Sequence, residues 1–324
     1  MTSQIGRRAA LIGGAALVSG ALGVGSLVTG GRRVAAAMAI QPLPRPRRVG
    51  ATFDLFPFPA GTTWSQAVDI WNRTTGTTMQ CWKVYFKDGV FPTSIDDQIQ
   101  TIINRGIEAL ISFKPVKPGS PPSLQAEVER QALHNTLQMF KGAGLMAQVC
   151  LWQEIRPADM NPTEYHQLVR FYGPTVQNFY PLIYDVGGYL GPANWQAYDP
   201  GQAQLDGYAI DFYGGDFINK GYTLDMFAPL AGDLPIGVWE VGNTAFAGFM
   251  PTPDQLKAFM DHIKNFLTKR LASGLPVGDV AWFNGPSDAS ESGQNEIAGT
   301  NPNPLAPEDI TLYDQIYTAI DNVG

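Results

Sequence analysis

Short apolar runs and amphipathic stretches alternate along the chain from residue 49 onward. Apolar runs over 49–53, 79–86, 109–113, 146–152, 182–186, 207–212, 236–239 and 280–283 have the length and β-branched or aromatic content of buried strands. Between them lie segments with a 3.6-residue period. One places Ile95, Ile99, Ile102 and Ile103 on a single face, with Ser94 as its expected cap and Gly106 as its stop. Another buries Leu256, Phe259, Met260, Ile263, Phe266 and Leu267 behind a Thr252-Pro253-Asp254-Gln255 start. Asn161-Pro162-Thr163-Glu164 opens a third with a cap, a proline and an acid in order. Further helices are expected over 63–72, 123–141, 192–198 and 224–231, and a last one carries Ile310, Tyr313, Ile316, Tyr317 and Ile320. Eight strands in alternation with helices imply a parallel sheet closed on itself: a single-domain (β/α)₈ TIM barrel. The rival, an open doubly wound sheet, lacks the glycine-rich phosphate turn after its first strand.

The N-terminus stands outside this pattern. Arg7-Arg8, a glycine- and alanine-rich apolar run and Ala37-Met38-Ala39 make the first 39 residues read as a twin-arginine signal peptide, with export and cleavage expected. An uncleaved anchor is the alternative, since such a run has the length of a membrane span. Residues 40–48 form a Pro/Arg-rich linker, and the barrel takes up 49–324.

Without the four arginines of the signal, the rest of the chain holds 18 basic residues against 29 acidic ones, a net charge of −11. That balance argues against nucleic acid or an anionic membrane as partner, but is neutral toward a polysaccharide. A monomer is expected. Cys81 and Cys150 fall on interior strands that are not neighbours, so two buried thiols are favoured over a bridge.

Chemistry in such a barrel gathers where strands end. Those ends carry Asp54, Lys114, Trp152 and Glu154, Asp185, Asp211 and Tyr213, Glu240, and Trp282. Carboxylates at the ends of the fourth and seventh strands, accompanied by aromatic rings, are what glycosidic cleavage needs: one acid to protonate the leaving oxygen, one carboxylate to attack or to activate water. Rings supply faces on which sugars pack. Strand alternation puts Glu154 on the side of Cys150 and Trp152. It puts Glu240 with Val238 and Ile236, turning Trp239 away and favouring Trp282 as a sugar platform. The histidines, His134, His166 and His262, lie on helices, which disfavours a catalytic histidine or a zinc site. No metal or organic cofactor is expected.

Three segments resemble clan A retaining glycoside hydrolases, closest to the mannanase-like family 26. They are Gln148 to Glu154 with the Asn161 to Tyr165 helix start, Leu234 to Gly242, and Asp206 to Tyr213. The resemblance implies Glu154 as acid/base, Glu240 as nucleophile, Tyr213 as its hydrogen-bond partner and Trp282 in the sugar-binding floor, with Trp152, Asp211, Lys114 and Asp54 around the substrate. Gln153 stands where the family has His and the wider clan Asn. Phe113-Lys114 replaces a Trp-His pair. These departures keep open a carbohydrate-binding barrel without turnover, and a hydrolase acting on an amide bond is a third reading.

Overall fold

The computed structural model describes residues 48–53, 58–86, 88–242 and 251–283, together with Asp314 and Thr318. The expected signal segment, Asp54 and most of the last expected helix lie outside the described residues; Asp314 and Thr318 are themselves helical.

Eight parallel strands close a barrel in sequence order: β1 (Val49–Thr52), β2 (Cys81–Tyr85), β3 (Glu108–Phe113), β4 (Met146–Leu151), β5 (Leu182–Gly187), β6 (Gly207–Tyr213), β7 (Ile236–Gly242) and β8 (Val277–Phe283), with β8 paired to β1. The helices are α1 (Trp64–Thr75), α2 (Asp97–Arg105), α3 (Leu124–Gly142), α4 (Pro162–Gln177), α5 (Pro192–Tyr198), α6 (Gly214–Lys220), α7 (Leu224–Ala231) and α8 (Pro253–Ala272). Asn161 and Thr252 each form the reciprocal capping box that their sequences spell. No helix among the described residues is long and apolar enough to cross a membrane.

Two local expectations are corrected. The cap of α2 is Asp96, whose carboxylate accepts from the Ile99 amide at 2.8 Å, so the helix begins after Ser94 and Ile95. A second helix, α6, intervenes between β6 and α7. Its Gly214-Gly215 start reads as a turn, and Tyr213 at its N-cap makes no side-chain capping bond, so the usual signals are missing.

The strands sort their side chains into two compartments. Val49, Trp82, Ile111, Val149, Tyr184, Ile210, Val238 and Trp282 join the helices in the large outer core, whereas Cys81, Leu110, Cys150, Ile183, Ala209, Trp239 and Ala281 fill the barrel interior. Both cysteines are buried free thiols in that interior layer. Below it, at the N-terminal ends of the strands, is a polar plug. Asp279 accepts from the Arg48 amide at 3.0 Å and from Gln148 at 2.5 Å, and the Arg48 guanidinium sits 3.3 Å from Glu108. Gly50 is required where β1 meets β2: a Cβ there would lie 1.8 Å from the Cys81 carbonyl oxygen. Above the apolar layer, at the C-terminal ends, the interior becomes charged.

Candidate active site

Lys83 is the centre of the upper layer. Its neighbours Trp82 and Val84 face the outer core, so strand alternation turns the lysine inward. There it is fully buried, with Nζ 2.6 Å from Asp211 Oδ1, 2.9 Å from Asp185 Oδ2 and 3.1 Å from Glu240 Oε1. Burial opposes the ammonium, but Asp185, Asp211 and Glu240 outweigh it and hold its pKa well above the ordinary lysine value. The Trp239 ring lies beneath, its centroid 5.9 Å from Nζ.

Glu240 is buried and engaged at both oxygens. Oε1 meets Lys83 and Oε2 accepts a short hydrogen bond from the Tyr213 hydroxyl. Burial raises its pKa; Lys83, as neighbouring charge and as donor, pulls it back. Burial also pushes the Tyr213 hydroxyl well up, helped by Asp211 and Glu154, so it remains a donor across the neutral range.

The inward aim of Glu240 corrects the alternation expected for the seventh strand. Ile210 of β6 pairs with Val238, but Asp211 pairs with Glu240; on the other side Val238 pairs with Val280 and Val241 with Trp282. Trp239 and Glu240 together therefore stand opposite Ala281, the two-against-one count of a β-bulge. Trp239 fills the barrel, Val238 and Val241 face outward, and Glu240 reaches the mouth. Trp282, expected as a platform, is fully buried in the outer core instead, because alternation along β8 turns Ala281 inward and Trp282 toward the helices.

Glu154 arrives by a different route. The β3–β4 ladder ends with the Trp152 amide donating to Phe113 O at 2.7 Å. The chain then turns through two non-glycine residues in the left-handed region, Trp152 at φ 66° and Glu154 at φ 50°. Such backbone is uncommon for a large side chain and costs about 1–3 kcal/mol per residue, and it is found where a site dictates geometry. The turn breaks the alternation, so half-buried Trp152 packs against the outer core rather than sharing the side of Cys150. Tyr189 steadies the turn: its hydroxyl donates to the Glu154 carbonyl at 3.3 Å and accepts from Arg156 Nε at 3.2 Å.

These strand ends bring one carboxylate oxygen from each of Glu154, Asp211 and Glu240 within 4.8 Å of the others. Among the described residues this trio is the grouping with metal-ligand geometry, but the Lys83 ammonium already occupies the cation's place against Asp211 and Glu240. Lys114 follows β3 half-buried, and no described ion pair joins it to the trio. Gln153 is buried with Oε1 unpartnered. His134, His166 and His262 sit on α3, α4 and α8. Sequence reasoning missed Lys83 and the part played by Asp185. The available signal was a lysine at an inward position of an otherwise apolar strand.

No family profile matches the chain, and no curated protein matches it significantly in sequence. Solved structures do. A GH5_18 protein from Bifidobacterium longum, solved with Manβ1-4GlcNAc, superposes with a TM-score of 0.57 at 13% identity, over 83% of this chain and 78% of that one. A GH128 endo-β-1,3-glucanase from Pseudomonas viridiflava gives 0.51 at 16% identity, over 82% and 97%. A Bacillus subtilis mannanase gives 0.48 at 14% identity, over 73% and 80%. At these identities the likeness is one of architecture: the chain shares the closed eight-stranded (β/α)₈ barrel of these structures.

Proposed function

We propose that the protein is a retaining hydrolase of β-linked oligo- or polysaccharides, with Glu240 as nucleophile and Glu154 as acid/base. The observation that carries this reading is the approach of the Glu154 and Glu240 carboxylate oxygens to within 4.8 Å. Retaining enzymes hold their carboxyl groups about 5–5.5 Å apart, whereas inverting enzymes leave about 6.5–9.5 Å for a water. Glu240 attacks the anomeric carbon while Glu154 protonates the departing glycosidic oxygen, giving a glycosyl ester on Glu240. Glu154, now ionised, takes a proton from water, which attacks the same carbon and releases Glu240. Tyr213 and Lys83 donate to the Glu240 carboxylate and fix its rotamer for in-line attack.

The β-linked class is supported by the two better-superposing neighbours, one an endo-β-1,3-glucanase and one solved with a β1-4-linked disaccharide. The test is product release from β-mannan, β-glucan and xylan, set beside Glu240→Gln, together with trapping by 2-fluoro glycosides. An ester found on Glu240 supports the mechanism. Binding of a polysaccharide without turnover in either protein would replace it with a carbohydrate-binding barrel, a reading motivated by Gln153 and Lys114, which stand where the resembled family has other residues.

Export belongs to the same proposal. The Arg7-Arg8 pair and the Ala37-Met38-Ala39 site support delivery by the twin-arginine route to polymer outside the cell. Protein recovered from the medium is expected to begin after Ala39, and retention of the full chain in the membrane fraction would favour an anchor.

A further inference from the structure

Three carboxylates crowd one ammonium at the top of the barrel. The side chains of Lys83, Asp185 and Asp211 have no solvent exposure and that of Glu240 has 6%. One cation does not neutralise three acids, and acids this close in a dry site do not all ionise. The site therefore keeps a proton, and the hydrogen bonds distinguish where.

Glu240 has a donor on each oxygen, Lys83 on Oε1 and Tyr213 on Oε2. Asp211 and Asp185 each meet Lys83 through one oxygen, and Asp211 Oδ2 and Asp185 Oδ1 have no partner. Donors on both oxygens favour the anion, whereas a protonated acid needs one oxygen left over to carry its hydrogen. Asp211 also faces a further carboxyl group, since a Glu154 oxygen lies within the same 4.8 Å group.

We propose that Lys83 is a positioning residue that divides the charge of the site: it holds Glu240 ionised for attack and leaves the retained proton on Asp211. The assignment rests on the reading of Glu240 as nucleophile. It agrees with the direction in which burial, and then Asp185, push the Asp211 carboxyl, well up against the pull of Lys83.

Infrared spectra of the full chain at neutral pH, without substrate, read the carbonyl band of protonated carboxylic acids. Wild type minus Asp211→Asn is expected to show one such band, and wild type minus Glu240→Gln none. Lys83→Met is expected to gain a protonated acid that disappears again when Glu240→Gln is added, and Lys83→Arg to restore the wild-type pattern. In turnover assays the acid limb of kcat/KM is expected to move to higher pH in Lys83→Met, with KM little changed. A band lost with Glu240→Gln in the wild-type background, or none lost with Asp211→Asn, overturns the division of charge. So does a Lys83→Met spectrum identical to wild type. The two neutral isosteres decide the matter even where the Lys83 variants fail to fold. Since the spectra need no turnover, an inactive protein with the expected bands removes only the glycosidase reading, and an active one with the wrong band removes only this one.

Discussion

Trp239 and Glu240 are adjacent in the chain and both enter the barrel, because a bulge in β7 sets the pair against Ala281 alone. In a regular strand one of them would face the helices. The bulge lets the indole floor the charged layer while the next residue supplies a carboxylate to it. Trp239→Ala is therefore expected to hollow the interior beneath Lys83. It should cost about 3–5 kcal/mol, the usual range for a buried large aromatic, and lower turnover by loosening the support of Lys83. Denaturant unfolding checks the first part; a loss under 1 kcal/mol would show that the indole is not a structural floor.

The same bulge marks the limit of what the chain pattern discloses. The eight apolar runs led to the barrel because a period of two and a period of 3.6 are properties of local sequence. Glu154 and Glu240 were legible because carboxylates that end strands of a closed sheet face one mouth. The error at Trp239 came from carrying alternation through a residue that is unpaired, and nothing local in Val238-Trp239-Glu240-Val241 announces the extra residue; Trp282 was expected at the mouth from its place at a strand end, although alternation along β8 turns it toward the helices. Trp152 failed similarly, through a left-handed turn at a non-glycine residue. Lys83 was overlooked for a different reason: its burial is compensated by Asp185, Asp211 and Glu240, which come from three other strands, and only closure of the barrel brings them together.

Tyr213 gives a test of the site that leaves the core almost untouched. Its hydroxyl donates to Glu240, and its ring packs edge-on to Phe283 with centroids 6.2 Å apart. Tyr213→Phe keeps the ring and removes the donor. A hydrogen bond to a charged group is worth about 1.5–3 kcal/mol, so kcat is expected to fall about 10- to 100-fold on the substrate found by the polysaccharide panel. The midpoint of unfolding should move little. Equal losses in kcat and in stability would mean that the hydroxyl holds the fold rather than the Glu240 carboxylate.

The plug at the opposite end of the barrel makes a prediction about pH. Burial, then the neighbouring Glu108, raises the Asp279 carboxyl to about 8, against the pull of Arg48 and the hydrogen bonds from the Arg48 amide and Gln148. An unfolded aspartate titrates near 3.9. Between these values the folded state binds the proton on Oδ2, with the Gln148 amide turned so that its oxygen accepts the hydroxyl, and the unfolded state does not. The stability this group contributes is therefore full below about pH 4 and is lost as pH rises toward 8. Asp279→Asn fixes the neutral form, keeps an oxygen for the Arg48 amide and lets the Gln148 amide turn to match. Its melting temperature is expected to fall less than that of wild type between about pH 5 and pH 8, with the two proteins closest at the acid end. Parallel curves would show that Asp279 is ionised throughout, with Arg48 compensating its charge despite the burial.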